Sequence, residues 1–229
     1  MIILALGEIL EKIEEEQVMS DGRPSVLITD SRHAPRAMEM AGMVYDGEIS
    51  LAEVGFCELE TQQECLGGSL CRPQLLVVLG SRYRMLFFIN LHHIVSVDDD
   101  DFAKRLIIRI RRSKTNQGDT RERFLYNFIG QFMSRDLELQ GRYERLLTGK
   151  AERVADGKTE GFQSKISPIR RELLTHRGYF EEWLDMGTEL EENENGIFSR
   201  RQPKSYGTSA DRTDRQKGRI GQPLQSAQT

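Results

Sequence analysis

The sequence predicts a mixed α/β domain, α+β or α/β in class, followed by two long antiparallel helices. Three observations carry this. Ser25–Thr29 (SVLIT) is a short, β-branched apolar run of the kind that fills a buried strand. Met85–Ile89 and Ile94–Val97 flank Asn90-Leu91-His92-His93, the pattern of a β-hairpin with a short loop. Phe162, Ile166, Ile169, Leu173, His176, Phe180, Trp183, Gly187 and Leu190 recur at alternating spacings of four and three, the seam of a helix packed along its length.

Along the first half, Met1–Leu6 reads as a short edge strand. Glu8–Glu16 has helical spacing, with Ile9, Leu10 and Ile13 on one side. Asp21-Gly22-Arg23-Pro24 has turn chemistry and leads into the SVLIT strand. Arg36–Met43 is expected to be helical with its methionines inward, and Val54–Leu59 to form another strand. Gly67-Gly68 reads as a turn and Leu75–Leu79 as a further strand. Asp98–Asp101 stand before Phe102, Leu106, Ile107 and Ile110, where a carboxylate can accept the free N–H groups of a helix start. Arg109, Arg111 and Arg112 suit the negative end of that helix.

The second half changes character. Ser113–Thr120 is a polar linker, and Asp119 or Thr120 can cap a helix running to about Ala155. Leu125, Phe128, Phe132, Leu139, Tyr143 and Leu146 make its apolar stripe, and Asp156-Gly157-Lys158 breaks it. The second helix runs from about Glu160 to Glu191, with Pro168 expected to kink it, and Asn193-Glu194-Asn195-Gly196 ends it. This divides the chain into an α/β domain (1–112), a long helical hairpin (113–196) and a basic, weakly structured tail (197–229).

Composition narrows the function classes. The net charge of −4 does not suggest nucleic acid as a partner. From Ser199 to Thr229, however, seven Lys/Arg stand against two Asp, so that segment carries +5 and the rest −9. No run approaches the ~20 apolar residues that span a bilayer. The N-terminus lacks the basic flank of a signal peptide, so the chain is expected to be soluble and cytoplasmic. Cys57, Cys65 and Cys71 match no common zinc spacing and are expected to be buried or half-buried thiols.

Asp98, Asp99, Asp100 and Asp101 are the metal candidates, since a hard cation such as Mg²⁺ takes carboxylate and water oxygens. The competing reading is a helix cap with solvated neighbours, because successive residues rarely point at one centre. His92-His93 reads as a pair of surface loop residues. No Ser/His/Asp or Cys/His set has interpretable spacing, and no catalytic residue is expected.

The order of elements resembles CorA-like divalent-cation transporters, and local stretches resemble them too. Phe124-Leu125-Tyr126 is similar to the opening of that family's first long helix, and Ser167-Pro168-Ile169-Arg170-Arg171-Glu172-Leu173 to a stretch of its second. Glu191–Gly196 resembles the turn after it, and Asp211–Arg215 the start of the stalk helix entering the membrane. The family's Gly-Met-Asn and both membrane helices are absent, and Gly130 and Ser134 stand where it usually has carboxylates. The resemblance implies an α/β/α sandwich with a stalk or funnel of long helices. It implies a non-enzymatic, cytoplasmic, ion-sensing domain of a magnesium or other divalent-ion transporter, unable to conduct ions alone. It also implies a weakly bound regulatory Mg²⁺, self-association (a pentamer in the full-length family) and membrane contact only through the missing helices. The alternative is a stand-alone soluble interaction module derived from that family.

Overall fold

A computed structural model of the chain describes residues 1–45, 47–62, 64–73, 82–112, 120–132, 145, 162–192 and 196–198. Its centre is a seven-stranded sheet: β1 (Ile2–Ala5), β2 (Glu11–Lys12), β3 (Ser25–Thr29), β4 (Glu58–Thr61), β5 (Leu66–Pro73), β6 (Arg82–Ile89) and β7 (His93–Val97). The spatial order is β2-β1-β3-β7-β6-β5-β4. Only β3 and β7 run parallel; the other neighbours are antiparallel. Helices α1 (Glu15–Asp21) and α2 (Ala34–Met40) belong to one face. Helices α3 (Phe102–Arg112), α4 (described over 121–132) and α5 (Phe162–Glu192) cover the other, giving the expected α/β/α sandwich.

The strand periodicity sorts the core into two layers. Val26, Ile28, Met85, Phe87, Ile89 and Ile94 point to α3–α5, while Ile3, Leu27, Phe88, Val95 and Val97 point to the α1–α2 side. All five residues of β3 are buried, as its unbroken apolar run predicts for a strand covered on both faces. The β6–β7 hairpin forms as expected, with Ile89 opposite Ile94 and the Asn90 N–H donating to the His93 carbonyl at 3.1 Å.

Several expectations need correction. Glu8–Glu16 is not a helix. It contains β2, and α1 begins only at Glu15, where the Glu14 N–H donates to Gln17 Oε1 at 3.0 Å. Leu10 and Ile13 are buried in different layers and Ile9 is exposed, so the three do not share one side. The first strand lies inside the sheet, with the two-residue β2 outside it. The helix expected at Arg36–Met43 is Ala34–Met40, with Met38, Met40 and Met43 buried as predicted. The strand expected at Val54–Leu59 starts at Glu58. Gly22 (φ 59°) ends α1 in the left-handed conformation that glycine adopts without strain. Leu75–Leu79 lies outside the described residues.

Gly67-Gly68 is not a turn but the inside of β5. Gly67 stands opposite Phe88 and Gly68 opposite Phe87. A Cβ on Gly68 would come within 2.3 Å of Phe87 Cζ and 2.9 Å of Leu59 Cδ2. Gly68 makes room for Phe87, a packing role that outweighs its poor strand propensity, whereas a Cβ on Gly67 would meet Phe88 at an ordinary 3.5 Å.

Thr120 caps α4, its Oγ1 accepting the Arg123 N–H at 3.1 Å. Leu125, Phe128 and Phe132 are buried as expected; the rest of the predicted stripe and Asp156–Lys158 lie outside the described residues. In α5, Ile169, Leu173, His176, Phe180, Trp183 and Leu190 are buried on the expected seam. Tyr179 and Met186 are buried as well, and Met186 rather than Gly187 fills the interface near Trp183. The helix runs through Pro168, which is exposed in its second turn. Rings link the helical layer: Phe132 is 5.3 Å from Phe102 of α3 and 5.2 Å from Trp183 of α5. At one end of the sheet Arg121 gathers three elements. It donates to the Asn90 carbonyl in the β6–β7 turn and, at 3.3 Å, to the Ile197 carbonyl beyond α5, and lies 3.7 Å from Glu122. No described helix is long and apolar enough to cross a membrane.

Candidate functional site

The parallel strands β3 and β7 end in register, Thr29 beside Val97. Both chain segments therefore leave the sheet at the same end, one through Asp30–His33 into α2 and the other through Asp98–Asp101 into α3. The C-terminal ends of parallel strands are where open α/β sheets commonly place ligands. All four aspartates singled out from the sequence lie here, joined by Asp30, Ser31 and His33, which sequence reasoning missed. Their signal was positional: only the parallel pairing of β3 with β7 brings them alongside.

The four carboxylates have different surroundings. Asp98 is buried and caps α3. Its Oδ1 accepts the Asp100 N–H at 2.9 Å and its Oδ2 the Ala103 N–H at 2.6 Å, while its own N–H donates to the Thr29 carbonyl at 2.9 Å. Burial raises the Asp98 pKa, and the N–H donors of Ala103 and Asp100 offset only part of that. Asp99 ties the two loops together, accepting the Ser31 N–H at 2.8 Å and the Ser31 hydroxyl at 2.9 Å. Asp101 lies 3.5 Å from Lys104 and adopts φ 54°. Asp100 is exposed and its carbonyl accepts from Arg105 at 2.9 Å. Nearby, Asp30 accepts the His33 N–H at 3.0 Å and contacts His33 Nδ1 at 2.7 Å, and that imidazole holds the Asp30 pKa below the usual carboxylate range.

Among the described residues no three His, Cys, Asp or Glu side chains converge into a ligand set. Asp98 and Asp99 spend their oxygens on the backbone and on Ser31, and Asp100 and Asp101 face solvent. What the loops present is an acidic rim that can attract a hydrated cation but does not enclose one within a single chain.

Asp98 also gives a pH test. A carboxyl whose folded pKa is raised contributes stability that is fully present below the unfolded pKa and is lost as pH rises through the folded one. Relative to an Asp98→Asn variant, the wild type is expected to gain stability as pH falls through that window. Paired urea melts across acidic pH check the sign; a relative loss on acidification would refute it.

The other sequence candidates lie elsewhere. His92 is exposed in the turn, but His93 is not a loop residue: it opens β7 and is buried, and burial lowers its pKa, with the charges of His92 and Arg121 acting the same way. Strand pairing of Ser25 with His93 draws it inward. Cys57, Cys65 and Cys71 are buried free thiols, as expected. Burial pushes the Cys57 thiol up, the opposite of what a nucleophile needs.

No protein-family model and no curated protein matches the sequence. Solved structures do match. The soluble domain of CorA from Methanocaldococcus jannaschii superposes with a TM-score of 0.75 at 11% identity, covering 100% of this chain and 94% of that one. The complete CorA magnesium transporter from the same organism gives 0.77 at 13% identity, over 99% of this chain and 74% of that one. The ZntB cytoplasmic domain from Vibrio parahaemolyticus gives 0.66 at 12% identity, over 99% and 93%. These likenesses run the length of this chain and carry one architecture, so the chain has the fold of the CorA soluble domain.

Proposed function

We propose that this chain is the cytoplasm-facing, ion-sensing domain of a CorA-type divalent-cation transporter, with Mg²⁺ the first ion to test. The observation that carries the reading is the end-to-end match to a CorA soluble domain, which leaves little of either chain unaccounted for. The role is one of binding and coupling rather than catalysis, and the domain works as one of several copies around a pore formed by other segments. The acidic rim at the β3 and β7 ends supplies the chemistry. Asp100 and Asp101 repel their counterparts on a neighbouring copy unless a hydrated divalent ion, held through water, screens them. Ion occupancy then biases one subunit packing over another, which is what sensing requires.

Sedimentation velocity during a Mg²⁺ titration tests this. Association is expected to change across the millimolar range and to respond less when Asp100 and Asp101 are both changed to Asn. An unchanged distribution up to roughly tens of millimolar Mg²⁺, where weak cation sites fill, would remove the sensing role.

A further inference from the structure

The helical layer carries opposite charges on its two flanks. Helix α3 contains Lys104, Arg105, Arg109, Arg111 and Arg112 and no acidic residue. Arg105, Arg111 and Arg112 are exposed, and among them Ile108 leaves 43% of its surface in water. Arg105 is held in place by the rings of Phe102 and Tyr83, 5.8 and 6.0 Å from its guanidinium carbon. The last part of α5, residues 181–192, contains six acidic residues and no basic one. Asp185, Glu189 and Glu192 form an exposed stripe at i, i+4 and i+7, and none of the three has an ion pair among the described residues. Like charges at that spacing destabilise a helix unless something covers them. Burial, then Asp185 and Glu192, raise the Glu189 pKa.

The two flanks match in more than sign. Arg105 to Arg112 and Asp185 to Glu192 both span seven positions, or about 10 Å along a helix. Each has an exposed apolar residue beside it. Ile108 lies within the basic stripe, and Phe56, 52% exposed, precedes Cys57, whose N–H is held by Glu182 of α5 at 2.9 Å. Helix α4 lies between the flanks, Phe132 touching Phe102 on one side and Trp183 on the other. The two charged stretches therefore belong to helices with α4 between them, and no ion pair joins Arg105 or Arg112 to Asp185, Glu189 or Glu192 among the described residues.

We infer that copies of this chain meet head to tail, the basic outer face of α3 on one copy seating against the acidic outer face of α5 on the next. The inference rests on the self-association in the reading above and names the faces that meet. Two different patches on opposite flanks make a heterologous contact, which closes into a ring or runs on as a chain. Because the pairs are exposed, salt weakens the contact.

Two charge-reversed variants test it: Arg105→Glu with Arg112→Glu, and Asp185→Lys with Glu189→Lys, followed by sedimentation velocity at about 50 mM and 500 mM salt. Circular dichroism checks that each remains folded. The wild type is expected to assemble, more strongly at low salt. Each variant alone should assemble at least about tenfold more weakly. An equimolar mixture should recover assembly with the two variants alternating, because α3 of each is complementary to α5 of the other. The fourfold swap should restore assembly. If the wild type assembles and the variants assemble equally, the faces are wrong and the reading above stands. If the wild type stays monomeric in both salts with and without Mg²⁺, both fail. If the α3 variant loses only binding to anionic phospholipid vesicles while self-association is unchanged, the basic face serves a membrane and the inference is overturned.

Discussion

Replacing Trp183 by alanine is expected to lower the unfolding free energy by about 3–5 kcal/mol, the cost of emptying a large aromatic site in a core that cannot fully collapse. Trp183 is 3% exposed, 5.2 Å from the Phe132 ring and 6.3 Å from the Tyr179 ring. It also lines a small apolar cavity of about 20 Å³ between sheet and helices, alongside Phe128 and Met186. Its removal would enlarge an existing void and detach α5 from α4 together. A Trp183→Phe variant separates volume from polarity. The indole Nε1 is buried without a hydrogen-bond partner among the described residues, so losing that N–H forfeits nothing. Phenylalanine should therefore cost less than about 1.5 kcal/mol. Urea denaturation of both variants checks this; equal losses would show that the N–H, not the ring volume, matters.

The second large effect is at Arg121. Arg121→Met keeps most of the aliphatic stem but removes the donors to the Asn90 and Ile197 carbonyls and the cation beside buried Glu122. Hydrogen bonds from charged groups contribute about 1.5–3 kcal/mol each, and stranding a buried carboxylate adds to the loss. The expected destabilisation is about 2–4 kcal/mol. Its location should be diagnostic. Amide hydrogen exchange should speed up in the β6–β7 turn and the first turn of α4, with the β1–β3 region little changed. Uniform loosening of the whole chain would contradict the role of Arg121 as a tie between those elements.

Much of the fold was legible because several elements bury long faces with a single period. The five-residue apolar run of β3, the β6–β7 hairpin and the four-three seam of α5 are each fixed by burial, and burial is what a hydrophobic pattern reports. Failures fell where a short segment is shared between layers. Ile9, Leu10 and Ile13 satisfy helical spacing, yet Leu10 and Ile13 serve opposite sides of the sheet. Tyr179 and Met186 widen the α5 seam because that helix packs on the sheet as well as on α4. The candidate site was half legible. The capping role of Asp98 follows from an acidic residue before an apolar helical stripe. The tie from Asp99 to Ser31 joins residues 68 positions apart and depends on a strand order that no local pattern encodes.

The glycine pair in β5 has a consequence for how the sheet can assemble. Gly68 stands opposite Phe87, where a Cβ would run into the ring. A slip of two residues, the smallest that keeps apolar side chains on their own face, would bring Leu66 or Leu70 there instead. On the other face the same slip would set Cys65 or Ser69 against Phe88. The double glycine and double phenylalanine thus act as a key and its keyway. They favour one alignment of β5 on β6 and penalise the neighbouring ones on the Phe87 face, so a segment with weak strand propensity guards the chain against mispairing.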